Sequence, residues 1–517
     1  MRKVALLLEQ QGLCVLRFDY DGTGDSAGDD TDPGRVEAWL DSIDYALEYV
    51  RQAGARSVSL VGMRLGATLA AVAAERDSAI ESLVLWDPYD SGRSFLSEQR
   101  ALAAMSLSVK ATREDGSLEG PGFVYNSETV LHLRDLSIAS TTGKLASRIL
   151  VLTRLGQQPS PALTDRLSSE AVEWGDAVGQ EELIDTTAPN IVLPEQTIAH
   201  IAGWLAGIPG GDRSRALAPE HVESAEIVDP PTGLQVVERA VAYGQAGLFG
   251  ILSEVPGVSA GPTILMLSVA TEHHIGPGRL WVELSRHLAT RGMRALRVDL
   301  SGVGDSGVRP GQPEFVTHAP EAFADVAELF EAVSAADPAG VVLLGLCASA
   351  YQALEGALTL RPRGVVALNP ILTLRPPEMR AGGQVDPRRR LVLARTPIVQ
   401  SFHDRGPLSP LRRRFPRLGW RIRMLLAGST RPGRWLRQLV GSGVNVFIVC
   451  GDREVRPFTY GMSQHTLAKL QASGQLHLEY VSGIDHGLLV AADRQMVTNL
   501  VTDHLLTLLS VSRTAHE

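Results

Sequence analysis

The residues of this chain that could carry out nucleophilic chemistry are few. Cys347 sits in Gly345-Leu346-Cys347-Ala348-Ser349, a reactive side chain with small residues two positions to either side. The apolar run Val341–Leu344 ahead of it reads as a buried strand, and Ala348–Leu360 behind it as a helix. Cys347 therefore falls at a sharp strand-to-helix turn, which lifts its side chain above the sheet edge; larger neighbours would clash there. The turn also aims the thiol at a helix N-terminus, whose free N–H groups favour the thiolate. Cysteine is more often packed as a small hydrophobe, but this setting favours a nucleophile.

A thiol nucleophile needs a base, and an acid to orient that base. The base is His486, in Ser482-Gly483-Ile484-Asp485-His486-Gly487, a short loop after the last expected strand, Leu476–Val481. An exposed loop histidine is the bland alternative. For the acid, strand Val444–Cys450 is followed by Gly451-Asp452-Arg453-Glu454. Asp452 follows the glycine directly and is preferred; Glu454 stays open as the alternative, and Asp485 reads as a brace for the loop. Charge developing on an attacked carbonyl oxygen needs N–H donors. These are expected from Ala348 and from Ala270 or Thr271, in the loop after strand Thr263–Val269. His273 and His274 in that loop are candidates for contact with substrate.

The elements that position these residues recur along the chain. Gly12–Ser26 matches Gly292–Ser306, each a strand followed by a glycine-rich turn ending Gly-Asp-Ser. Ser57–Ala67 matches Gly340–Ala350, and Leu83–Pro88 matches Val365–Pro370. Three pairs in one order at a spacing of roughly 280 residues are the mark of duplicated domains. Helical patterns at Val36–Gln52 and Glu321–Ala335 lie between the strands, implying mostly parallel sheets with helices on both faces. The Gly-, Pro- and charge-rich stretch 208–233 reads as a linker between domains 1–207 and 234–517. Leu234–Glu254 reads as a leading hairpin of the second domain.

These phrases together resemble the α/β-hydrolase superfamily, within its serine-aminopeptidase-like and exosortase-associated hydrolase group. The resemblance rests on Leu16–Ser26, Leu83–Pro88, Gly345–Ala350 and Gly483–His486, and covers most of both halves. It implies two α/β-hydrolase folds in tandem. A cysteine nucleophile with His and Asp is similar to dienelactone hydrolase, which implies an ester, lactone or thioester substrate and a covalent acyl-enzyme. The expected activity is an acyl hydrolase or acyltransferase, with a dienelactone-hydrolase-like carboxylesterase and a non-catalytic scaffold as rivals.

The first half departs from this pattern. Its turn reads Gly62-Met63-Arg64-Leu65-Gly66, and arginine, permanently charged, cannot be a nucleophile. His200 falls inside an apparent helix. No residues before Gly12 read as strand, so nothing there supplies the third strand that the fold sets between Cys14–Tyr20 and Ser57–Val61. The first domain is expected to be truncated or degenerate and non-catalytic. Of the ways to meet that gap, a native start upstream of Met1 is preferred over direct pairing of the two strands or a replacement segment.

Residues 373–443 form an insertion where the superfamily carries a lid, expected to be helical. It holds sixteen arginines, Arg412 and Arg421 among them, against three acids. The bland reading is a solvated cap. The functional one is an acidic partner over the site, coenzyme A phosphates or an acidic acyl-carrier protein, with Arg412 and Arg421 as contacts. Trp420 and Trp435 keep an anionic membrane surface as a third reading. Elsewhere the chain is acidic, with net charge −9 over 517 residues, which argues against a general nucleic-acid binder. No apolar run reaches the roughly 18 residues of a spanning helix, and no secretory signal is evident. Three cysteines without C-x-x-C spacing suggest neither a disulfide framework nor a zinc site, and a reducing cytoplasm is the default. No cofactor or metal is expected.

Overall fold

Runs that are apolar at every position must be buried on both faces, and in the computed structural model they become the central strands. The structure describes residues 1–184, 192–207, 217–218, 222–258, 261–372 and 432–514. The chain divides into two compact units, Met1–Thr187 with Ile191–Val222, and Ala188–Asn190 with Glu223–Glu517.

The first unit is built on a four-stranded parallel sheet of β1 (Val58–Met63), β2 (Ile80–Trp86), β5 (Arg148–Arg154) and β6 (Val172–Ala177), in that order. A small hairpin, β3 (Leu118–Gly120) and β4 (Phe123–Tyr125), stands apart from it. Alternation along β2 and β5 sorts the side chains by face. Leu83, Leu85, Ile149 and Val151 pack with helices Arg35–Gln52 and Leu65–Arg76. Val84, Trp86, Leu150 and Leu152 pack with helices Arg2–Gln10 and Glu195–Ala206.

Cys14–Tyr20, expected as a strand, joins no sheet. It runs without regular structure, with Val15, Leu16 and Phe18 about 40% exposed. It does not pair with β1, which is the outer strand of the sheet, and no described strand lies between them. A strand is a property of a pair, and the apolar alternation of residues 14–20 meets no neighbouring backbone to pair with.

The second unit begins inside the stretch read as linker: β7 (Ser224–Val228) already pairs with β8 (Gln235–Tyr243). The linker 208–233 is thus shorter than its composition suggested, because glycine and proline mark the turn at 229–234 rather than an unstructured run. β9 (Leu248–Glu254) completes an antiparallel edge. Then follow β10 (Thr263–Leu267), β11 (Arg294–Val298), β12 (Val341–Leu346), β13 (Gly364–Leu368), β14 (Asn445–Cys450) and β15 (Leu476–Tyr480), mutually parallel. The sheet order is β15-β14-β13-β12-β10-β11-β9-β8-β7. Leu265 and Leu267 face helices Ala322–Ala336 and Ala348–Leu360. Ile264 and Met266 face helix Leu280–Ala289 and the final helix, Ala491–Thr514. This is the α/β-hydrolase arrangement, helices on both faces of a mostly parallel sheet. No helix among the described residues is long and apolar enough to cross a membrane.

The matched sequence phrases adopt matched backbones. Ser26 Oγ donates to Asp19 O and Ser306 Oγ to Asp299 O, both at 2.7 Å. The Asp25 and Asp305 amides donate to Asp19 Oδ2 and Asp299 Oδ2, at 3.0 and 2.8 Å. Gly24 and Gly304 take φ of 51° and 55°, and a Cβ on either would lie 2.1 Å from that aspartate. The short turn closes on its own carboxylate only with glycine there.

A buried ion cluster ties the antiparallel edge to the parallel sheet. Glu238 of β8 accepts from Arg297 of β11 and Arg286 of helix Leu280–Ala289, each at 2.8 Å, and from Ser253 Oγ of β9 at 2.8 Å. Burial works against its charge, but Arg297 and Arg286 outweigh this and hold the carboxyl below its ordinary value. Arg297 is fully buried. Replacing Glu238 with Ala takes away the carboxylate shared by fully buried Arg297 and mostly buried Arg286, so unfolding free energy should fall by about 3–5 kcal/mol. A urea midpoint equal to that of the parent protein would show that the cluster adds nothing.

Candidate active site

β12 and the helix after it turn at Cys347, which takes φ 57° and ψ −111°. Its amide donates to Leu368 O of β13 at 3.0 Å, so the neighbouring strand fixes the turn. Gly345 makes it possible: a Cβ there would stand 2.4 Å from the backbone of Ser349. Ser349 is fully buried, and its hydroxyl bonds back to Leu346, so it braces the turn rather than reacting.

His486, in the loop after β15, lies with Nδ1 2.9 Å from Glu454 Oε1. Cys347 lies near enough to the same ring to raise its affinity for a proton. With Nδ1 engaged, Nε2 is the atom left to exchange a proton with the thiol. Burial opposes the charged imidazolium, but the hydrogen bonds to Cys347 and Glu454 and their charges raise it to about 10. Burial likewise opposes the Glu454 carboxylate, and His486 overrides it and holds that group below its ordinary value.

The acid at the histidine is thus Glu454; the preference for Asp452 is corrected. The backbone winds after Gly451, with the Val455 amide donating to Gly451 O at 3.1 Å, and this turn carries residue 454 back toward the loop. Asp452 instead braces the far side of that loop, accepting from Tyr480 and from the Gly483 amide at 3.2 Å. Asp485 accepts from the amides of Gly487, Leu489 and Val490 and is the loop brace expected of it.

Ala348 is the first residue of the helix after Cys347, so its amide is one of the N–H groups that helix geometry leaves unpaired. Ala270 holds φ 55°, and neither its amide nor that of Thr271 has a partner among the described residues. His274 does not face a substrate space. Its side chain is 2% exposed, its Nδ1 lies 2.9 Å from Asp299 Oδ2, and its amide donates to Asp299 Oδ1 at 2.6 Å. It anchors the loop from beneath. His273, partly exposed, packs edge-on against it. Arg412, Arg421 and most of the arginine-rich insertion lie outside the described residues. Of the insertion's arginines, Arg434 and Arg437 are described; both are exposed on helix Pro432–Gly441, whose Trp435, Leu436 and Leu439 are buried. Among the described residues no cluster of His, Cys, Asp or Glu is arranged to hold a metal ion. Cys450 is buried, and desolvation with the nearby Glu454 charge pushes its thiol up, so it is not a second nucleophile.

One residue at the site was missed: Asn369, directly after β13 and 1% exposed, bonded to both the His486 loop and the turn that carries Glu454. Its signal was present in the matched phrases, where Leu-Asn-Pro stands against Trp-Asp-Pro.

In the first unit Arg64 takes the corresponding turn, with φ 57° and ψ −125°, and its amide donates to Trp86 O at 2.9 Å. Its guanidinium bonds Asp87 Oδ2 at 2.6 Å and also Tyr89 and Glu98. Arg154 and Gln180 bond the same Asp87 carboxylate. The space above this turn is filled by a satisfied ionic cluster.

The raised imidazolium gives a test that needs no substrate. The ring should keep its proton through pH 8 and lose it as pH rises through about 10, followed by nitrogen NMR. Glu454→Gln should bring that loss to lower pH; Asp452→Asn should leave it in place. Equal shifts in the two variants would remove Glu454 from its special position.

Residues 269–501 match the alpha/beta hydrolase family. No curated protein matches the sequence. Among solved structures the chain is similar to Est1E from Butyrivibrio proteoclasticus with bound ferulic acid, at 16% identity and TM-score 0.34, covering 52% of this chain and 100% of that one. It is also similar to a thioesterase domain from the curacin biosynthetic pathway, at 16% and 0.30, covering 52% and 99%. A third is XC6422 from Xanthomonas campestris, a serine hydrolase without a lid, at 14% and 0.29, covering 52% and 94%. The sheet order of the second unit and the match over residues 269–501 give this part of the chain the α/β-hydrolase fold.

Proposed function

We propose that the second unit is an acyl hydrolase or acyltransferase that works through a Cys347 acyl-enzyme on an ester or thioester. The observation that carries this reading is the grouping of three side chains: Glu454 bonded to Nδ1 of His486, and Cys347, at a strained strand–helix turn, near enough to the same ring to raise its affinity for a proton. The thiolate attacks the acyl carbon, and the carbonyl oxygen takes the negative charge toward the Ala348 amide and an amide of Ala270 or Thr271. The tetrahedral adduct collapses, the carbon–leaving-group bond breaks, and the His486 imidazolium gives its proton to the departing thiolate or alkoxide. Water, or another acceptor, then gives its proton to His486 as it attacks the acyl-thioester, and Cys347 is released. A thioester donor suits the thiol because a carbon–sulfur bond is exchanged for another. The dienelactone-hydrolase-like reading shares these steps and differs in the substrate.

The first unit, residues 1–207, is read as a degenerate second copy of the same fold. The recurring turns at Asp19 and Asp299 and at Arg64 and Cys347 support the duplication. The ion cluster around Arg64 supports a non-catalytic role. For the second unit, the arginine-rich insertion 373–443 is read as a lid meeting an acidic partner, coenzyme A or an acyl-carrier protein; its composition supports this.

Incubation with short-chain acyl thioesters should add one acyl mass to the intact protein, mapped to Cys347. Cys347→Ala and His486→Ala should each lower kcat/KM on the order of 10⁴-fold or more, and the double variant should be no worse than the poorer single one, because such groups act as a unit. Undiminished turnover by Cys347→Ala would sink the acyl-enzyme, and a parent protein that neither takes up the acyl group nor turns it over would leave the scaffold reading.

A further inference from the structure

The catalytic reading leaves one question of support open: the histidine and its acid sit on two separate loops, and something must hold those loops in register. Asn369 is in place to do so. It directly follows β13, between the ends of β12 and β14 in the sheet. Its Nδ2 donates to Asp485 O and to His486 O, both at 3.1 Å, and its Oδ1 accepts from the Gly451 amide at 2.9 Å. Its own amide donates to Val449 O of β14 at 2.8 Å. One side chain thus grips the backbone of the base and the backbone that starts the turn to Glu454. It is 1% exposed, so water does not compete for these bonds. It is also held at φ 41°, a conformation that asparagine tolerates better than most residues.

We infer that Asn369 is a positioning residue, whose carboxamide sets the distance between His486 and Glu454 and so aims the imidazole at Cys347; this rests on the catalytic reading above. Only a carboxamide fits all three contacts, since two carbonyls require donors and one amide requires an acceptor. The first unit supplies a comparison. Asp87 occupies the matching place, with φ 47° and its amide donating to Leu152 O at 2.7 Å. Its carboxylate, which can only accept, bonds Arg64, Arg154 and Gln180 and no loop carbonyl. The hub position is kept in both units, and its side chain decides what is gathered there.

Asn369→Gly removes the side chain at a backbone conformation glycine adopts freely. Asn369→Asp keeps the size and the acceptor but loses the donors, and Asp87 shows that aspartate takes this backbone. Both variants should lower kcat about 100-fold, as misplacement of about 1 Å does, with KM within about twofold of the parent protein. Both should also lose the low-field proton resonance of the His486 Nδ1–H bond to Glu454 at near-neutral pH. The resonance reads loop register without any substrate, so it decides the inference even if Cys347 proves not to turn over acyl compounds. A folded Asn369→Gly variant with the parent resonance and kcat would overturn the inference, and so would an Asn369→Asp variant that keeps both.

Discussion

The chemistry of the second unit depends on a backbone constraint at the carboxyl ends of its central strands. Ala270, Cys347 and Asn369 follow β10, β12 and β13 within a few residues, and all three hold positive φ. Such conformations cost on the order of 1–3 kcal/mol each and persist only where the surroundings over-determine them. Here the sheet does so: the amides of Cys347 and Asn369 are each bonded to a carbonyl of the next strand over, Leu368 O and Val449 O. The chain leaving β12 and the chain leaving β13 are each held in the turn by that bond to the neighbouring strand. A parallel sheet buried on both faces is stiff enough to hold this, because no strand can shift without breaking two ladders and two helix contacts.

Charge is handled differently in the two units although the backbone at the turn is nearly the same. At Cys347 the surroundings group one thiol, one imidazole and one carboxylate, with the His486 side chain 30% and Glu454 9% exposed. The middle group there is one that can hold or release its charge. At Arg64 the middle group carries a permanent charge, and Asp87, Glu98 and Tyr89 are arranged to match it. That arrangement is static: every charge has its counter-charge in place, and no proton has reason to move.

The sequence made the local parts of this legible and left the relations between distant parts hidden. The turn at Cys347 could be read because strand, small residues and helix follow one another within twenty positions. The loop at His486 could be read because it follows the last apolar run. The choice between Asp452 and Glu454 could not, since both stand within four residues of the strand and the winding of the turn after Gly451 decides. The placement of His274 could not be read either, since its partner Asp299 stands just after β11, twenty-five positions away. Cys14–Tyr20 reads as a strand in the same matched phrase as Arg294–Val298, yet only the latter is a strand, because β10 and β9 flank it. Asn369 was quoted as part of a repeat, but its partners lie more than eighty residues further along.

The cluster around Arg64 also limits what residue 64 can be. Suppose a neutral side chain stood at that turn. Asp87 and Glu98 would then share Arg154 alone, and Gln180 would still cap the carboxylate. The cation at residue 64 therefore acts as a keystone: it joins carboxylates from two segments, and a neutral replacement would leave both of them to one guanidinium.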